Sequence, residues 1–196
     1  MVIFPIVALI IGILIGMSHV VPLFILKQAP STILLLLLFI VGIDIGSNKN
    51  VMKEIKRFGL KVIFLPLFIV LGSLAGGLFS GYLLNMKYCD ALAIASGFGW
   101  YSLSGILVSN LANVELGTLA FLANLARELF SFFIIPLISK RGKLICIAPG
   151  GATSMDSTLP FIVRYGGSEI AIVAIVSGIV LSALVPIMVP FFLSLK

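Results

Sequence analysis

Charge is scarce in this chain. Only 10% of its 196 residues are Asp, Glu, Lys or Arg, against 61% hydrophobic residues and a mean hydropathy of +1.27. That leaves too little polar surface to coat a water-soluble globule, so the sequence reads as an integral membrane protein. Histidine is almost absent: His19 stands alone before Pro22, which removes histidine-based metal sites and leaves a loop or interface residue. The two cysteines, Cys89 and Cys146, lack any metal-ligand spacing and read as free thiols, excluding a disulfide framework. There is no Gly-rich phosphate loop with a following lysine and no nucleophile elbow. Catalysis has no foothold, so the chain is expected to be no enzyme and to need no cofactor. The first seventeen residues lack a basic start and a small-residue cleavage site, so Met1 is expected to begin a span that stays.

What is present is a set of long apolar runs. Five read as full crossings, at about Val2–Phe24, Ser31–Ser47, Val62–Met86, Glu115–Ile138 and Glu169–Leu195. Their lengths approach the roughly 20 residues needed to cross a hydrocarbon core as a helix, and none alternates like a barrel strand. Two further stretches, about Ala91–Asn110 and Leu144–Arg164, are interrupted by the clusters SGFGWYSLSG (Ser96–Gly105) and PGGATSMDSTLP (Pro149–Pro160). Unpaired backbone is tolerated at membrane depth only where protein or a watered cavity satisfies it. The fold class expected is therefore an all-α integral membrane protein with about five transmembrane helices and two Gly-rich re-entrant or broken segments. It forms a single transport domain over 1–196, in which 1–48 holds two spans, 62–138 the first broken segment with its flanking spans, and 144–196 the second with the last span.

A net charge of +6 would suggest nucleic acid in a soluble chain, but here the cations sit in short loops. Lys49, Lys53, Lys56, Arg57 and Lys61, opposed by Glu54, give one loop of net +4; Lys140, Arg141 and Lys143 give another of +3. Both are expected on the cytoplasmic side. If Ala91–Asn110 crossed completely, the second loop would be delivered outside. A hairpin entering and leaving by the outer face keeps both loops inside, places the N-terminus in the cytoplasm and the C-terminus outside, and is the preferred reading. The second broken segment then enters from the opposite face.

The pattern recurs. Ile94-Ala95-Ser96-Gly97 resembles Ile147-Ala148-Pro149-Gly150 at an offset of 53, and each broken segment precedes a crossing that opens on Glu115 or Glu169 and carries a proline 21 positions later, Pro136 or Pro190. A unit of one hairpin and one crossing must be upside down in its second copy. Inverted repeats meeting at broken midplane segments are a recurrent plan of secondary transporters.

Asp156 is the leading candidate for substrate or ion binding, because an ionisable group at membrane depth costs several kcal/mol unless solvated or paired. Its alternative is capping of the half-helix near Thr158, with Ser154 and Ser157 beside it, and the two roles are compatible. Asp44 in FIVGIDIGSN either lines a cavity or reaches the interface near Lys49. Arg127 and Glu128 lie deep in their crossing and, as neighbours, point about 100° apart; each can face the cavity or make a structural ion pair with another helix. Ser102, Ser104 and Tyr101 offer hydroxyls, and Gly97, Gly99 and Gly105 allow the chain to turn and expose carbonyls that suit cations. Trp100 can close a pocket or anchor at an interface, and Asn124 can brace the site. Glu115, Arg164 and Glu169 mark helix ends.

At ASGFGWYSLSG (Ala95–Gly105), AFLANLARE (Ala120–Glu128) and GGATSMDSTLP (Gly150–Pro160), with VGIDIGSN upstream, the chain resembles the LysO-type family of bacterial and archaeal lysine exporters over essentially its whole length. The resemblance implies export of L-lysine and its toxic analogue thialysine across the inner membrane by ion exchange, with Asp156 on the family's intramembrane aspartate. Longer members resemble this chain only over their C-terminal two-thirds and carry about three further spans. Those spans are expected from a separate small membrane subunit or replaced by a homodimer. Lysine presents two ammonium groups and one carboxylate, so a site needs acids or carbonyl dipoles together with a helix N-terminus or arginine. The coupling ion is expected to be H⁺ or Na⁺. The alternatives are a cation/proton antiporter using the same acid, or an accessory subunit of a split exporter. An intramembrane aspartyl protease finds neither of its sequence settings at Asp44 or Asp156.

Overall fold

The computed structural model describes residues 61–195, with Gly59 and the isolated positions 11, 12, 14–17, 39 and 43. Apart from those isolated positions and Lys61, the expected crossings at Val2–Phe24 and Ser31–Ser47 and the +4 loop, with His19 and Asp44, lie outside the described residues. The described part is helical throughout and contains no strand. Its order is α1 (Lys61–Leu83), α2 (Tyr88–Ala95), α3 (Tyr101–Leu111), α4 (Val114–Ile138), α5 (Ile147–Gly150), α6 (Leu159–Gly166) and α7 (Ala171–Ser194), with short 3₁₀ turns at Ser139–Arg141, Leu144–Cys146, Gly151–Met155 and Ser168–Ile170. Among the described residues, three helices, extended in two cases by flanking turns, are long and apolar enough to cross a membrane: Ile63–Leu83, Val114–Arg141 and Ser168–Ser194. At about 1.5 Å per residue each exceeds a ~30 Å hydrocarbon core.

α7 is the central helix, with half of its apolar window buried against 17% and 22% for the other two. It packs on α1, α2, α3 and the Gly151–Met155 turn. α1 turns Phe64, Phe68 and Phe79 outward, as expected of a lipid-facing surface, and presents small residues to α2. A Cβ on Gly77 would fall 2.4 Å from Ala95 Cβ, and one on Gly81 would fall 2.5 Å from Ala91 Cβ. Small residues spaced in this way let membrane helices pack backbone to backbone.

The neighbours also fix the direction of each arm. Gly77 faces Ala95 while Gly81 faces Ala91, so α2 runs back along α1. Gly105 faces Phe121 and Gly117 faces Ser109, so α3 then runs antiparallel to α4. The first broken segment thus leaves the end of the bundle at Leu84–Lys87, turns at Ser96–Trp100 and climbs back, its arms splayed around α7. The second does the same from the other end. It starts after Lys143, and its last residue returns to the start: a Cβ on Gly166 would lie 3.3 Å from the Lys143 carbonyl, and Lys143 pairs with Glu169. α7 ends where α1 gives way to α2, with Cys89 Sγ 3.4 Å from the Leu195 carbonyl. Ile145 and Ala148 share a groove with Leu65 and Phe68, so the Lys140–Lys143 loop lies at the end where α1 begins.

Candidate functional site

The two broken segments touch at their tips. The first tip turns through Phe98 and Gly99, both with positive φ (46° and 99°), which frees the Phe98 carbonyl to accept from Ala152 N–H at 2.8 Å. Gly151 supports this contact from the other side. Its backbone (φ 61°, ψ −125°) suits glycine, and a Cβ there would sit 2.2 Å from the Phe98 oxygen.

Most of the buried polar groups around the tips are satisfied locally, as backbone away from water must be. Asn124 braces the first tip: its Oδ1 accepts from Gly99 N–H at 2.8 Å, and its Nδ2 donates to the Ile94 carbonyl at 3.0 Å and the Ala120 carbonyl at 2.9 Å. Ser104, fully buried, lies 3.4 Å from Asn124 Nδ2 and from the Tyr101 carbonyl. In the second tip Thr153 Oγ1 donates to the Gly150 carbonyl (2.9 Å) and Thr158 Oγ1 to the Thr153 carbonyl (2.9 Å). Ser154 ties the tip to α7 through the Ala174 carbonyl at 2.8 Å. Arg127 reaches across to the same hairpin, donating from Nε to the Pro149 carbonyl (3.1 Å), from Nη2 to the Ala148 carbonyl (3.1 Å) and from Nη1 to Ser73 Oγ (2.6 Å). No carboxylate among the described residues pairs with it. Arg127 holds α1, α4 and the second hairpin together through neutral oxygens, the geometry a guanidinium's fixed fork of donors suits.

Glu128 points elsewhere, as helical neighbours must. With Asp156 it lines a cavity of about 220 Å³ bounded by the start of α3 (Trp100, Tyr101, Ser102), the second tip and Ser182 of α7. Glu128 is 8% exposed, and its Oε1 accepts from Ser157 Oγ. Asp156 Oδ1 accepts from Ser157 N–H at 2.6 Å and lies 3.3 Å from the same hydroxyl. The N-cap residue of α6 is Thr158 rather than Asp156. Ser182 is 8% exposed, and its hydroxyl has no hydrogen-bond partner.

The structure therefore gathers Asp156, Glu128, Trp100 and Ser102 around one cavity and leaves Ser104, Asn124, Arg127 and Ser154 behind it as the frame of the tips. Two further hydroxyls, Ser157 and Ser182, join the cavity. Ser157 is adjacent to Asp156 in the TSMDS run, so the motif itself offered that signal; Ser182 sits in an otherwise apolar helix and offered none. Such a cavity, with two carboxylates, several hydroxyls and one aromatic wall inside an apolar bundle, has the chemistry to accept a cation that carries an apolar stem.

The pattern of the family described as "Lysine exporter LysO" matches residues 6–193. The chain belongs to this family. It is 43% identical over 185 residues to Lysine exporter LysO of Escherichia coli (strain K12), a match covering 93% of this chain and 61% of that protein. It is 38% identical over 162 residues to a protein of Haemophilus influenzae named as a candidate lysine exporter, covering 83% of each. This LysO-family chain thus spans about three fifths of the length of the E. coli relative. No solved structure matches it significantly. Family and helices together make it a membrane protein of the lysine-exporter family.

Proposed function

We propose that this chain is a secondary transporter domain that exports L-lysine, and the analogue thialysine, across the cytoplasmic membrane in exchange for H⁺ or Na⁺. The observation that carries the reading is the convergence of Glu128 and Asp156, from different elements, on one cavity where the two tips meet. Two acids facing one small space in an apolar bundle repel each other unless a cation intervenes. A substrate ammonium supplies that cation, Trp100 offers an apolar wall to the methylene stem, and Ser102 and Ser182 offer oxygen ligands. The N-terminus of α3, which opens on the cavity, favours the substrate carboxylate. Asp44 is a candidate for a further acid on the same path.

In this reading the broken segments are re-entrant hairpins from opposite faces. The chain then has five crossings, two of them N-terminal, and forms an inverted repeat with its N-terminus inside and its C-terminus outside. The antiparallel arms and the shared end of α1 and the Lys140–Lys143 loop support that arrangement. Alternating access follows if the tips separate and rejoin. The partner in this reading is either a small membrane subunit or a second copy of this chain. Efflux of lysine from intact cells preloaded with a lysyl dipeptide tests the assignment. The wild-type chain is expected to raise efflux and Asp156→Asn to abolish the gain; a variant that exports normally overturns it.

A further inference from the structure

Ser157 stands between the two acids, and a hydroxyl has one proton to give. Its Oγ donates to Glu128 Oε1, and it lies 3.3 Å from Asp156 Oδ1. With both carboxylates ionised, two anionic acceptors compete for one hydroxyl proton, and Asp156 Oδ1, which keeps the Ser157 N–H, faces that hydroxyl's lone pair. A single added proton resolves the conflict. The protonated Glu128 carboxyl donates to Ser157 Oγ, and Ser157 Oγ–H turns to Asp156 Oδ1, forming a two-bond chain that links the two carboxyls.

We infer that Glu128, Ser157 and Asp156 form one proton-binding site that holds a single shared proton and surrenders it to water when a monocation occupies the cavity. The inference rests on the proposed lysine reading only for the identity of that monocation. The charge balance favours a one-for-one exchange. Two carboxylates with one proton carry net −1; two carboxylates with one lysine, itself net +1, carry the same. The cost of keeping the site at membrane depth is then equal in the two loaded forms, whereas binding a monocation without proton loss would alter the buried charge by one unit. Ser182 adds a second, independent feature. Its nine-tenths-buried, unpartnered hydroxyl lines the same cavity and supplies an oxygen to the entering ammonium as the carboxyl proton departs. Among the described residues, the remaining charged and titratable groups nearby do not compete for the proton. Arg127 is turned onto the Ala148 and Pro149 carbonyls, Tyr101 on α3 lines the cavity as a neutral phenol, and α6 and α7 bring no titratable side chain to it.

Infrared difference spectroscopy of the whole chain in liposomes tests this, with and without L-lysine at neutral pH. The substrate-free protein is expected to show one protonated-carboxyl C=O band that disappears when lysine binds, with release of about one proton per chain into weakly buffered medium, as the charge balance requires. Glu128→Gln and Asp156→Asn should each remove the band. Ser157→Ala should shift it, and Ser157→Thr, which keeps the hydroxyl, should restore it; Trp100 fluorescence checks that each variant is folded. No band in the free protein, or a band that survives both acid replacements, overturns the shared proton. A band that depends on both acids but ignores lysine upholds the proton site and instead overturns the lysine reading.

Discussion

Replacement of Gly151 by alanine tests the tip-to-tip contact on which the site depends. Gly151 has φ 61° and ψ −125°, outside the regions an L-residue adopts comfortably, and a Cβ would come within 2.2 Å of the Phe98 oxygen and 3.0 Å of Arg127 Cζ. Neither obstacle is the free end of a flexible chain. The Phe98 oxygen is backbone held by Ala152 N–H, and Arg127 is pinned by three hydrogen bonds. Backbone strain of this kind costs on the order of 1–3 kcal/mol, and the displaced Ala152–Phe98 bond about 0.5–1.5 kcal/mol more. A combined cost of roughly 2–4 kcal/mol shifts the balance between touching and separated tips by about 30- to 1,000-fold, at 1.4 kcal/mol per tenfold. Trp100, the chain's only tryptophan, sits at the first tip, so its emission and quenching by acrylamide report that balance directly. The expected result is a more accessible Trp100 in Gly151→Ala, together with impaired transport. Gly76→Ala is the control, because a Cβ there meets nothing within 4 Å. If Gly151→Ala matches Gly76→Ala in both quenching and transport, the tip contact does not hold the site together.

Three further replacements separate the frame from the cavity. Asn124→Ala strips Gly99 N–H of its acceptor and is expected to destabilise the tip by about 1–3 kcal/mol, measured as a lower midpoint of thermal unfolding in detergent. Arg127→Lys keeps the charge but loses the fork that spans Pro149, Ala148 and Ser73, so faster proteolysis after Lys143 is expected with little change in Trp100 emission. Gly77→Leu forces α1 away from Ala95 and should lower the yield of folded protein on size exclusion, whereas Gly72→Leu, with open space around it, should not.

Much of the architecture was legible because the membrane leaves a short menu. Long apolar runs of the length of α1, α4 and α7 become helices, and Gly-rich polar clusters inside apolar segments mark breaks in them. The clusters at Ser96–Gly105 and Pro149–Pro160 fall on the tips of the two broken segments. Direction was less legible. It depended on where Lys140–Lys143 lies, and the contacts between Gly77 and Ala95 and between Gly166 and Lys143 that establish it join residues distant in sequence. The site was legible as a list of polar residues but not as an arrangement. Arg127 is turned about 100° from Glu128 on one helix, and hydropathy cannot say that Arg127 turns to carbonyls while Glu128 turns to Asp156. Ser182 was hidden for the same reason: a serine in a buried helix reads as packing until its neighbours are known.

Counterflow of labelled lysine tests the central claim most directly. Proteoliposomes carrying the chain, preloaded with unlabelled L-lysine and diluted into trace label, are expected to accumulate label transiently, and Asp156→Asn and Glu128→Gln should each remove the overshoot while remaining folded. Accumulation in both variants equal to that of the wild-type chain would contradict the account, because it would show that lysine crosses without the cavity in which the two acids meet.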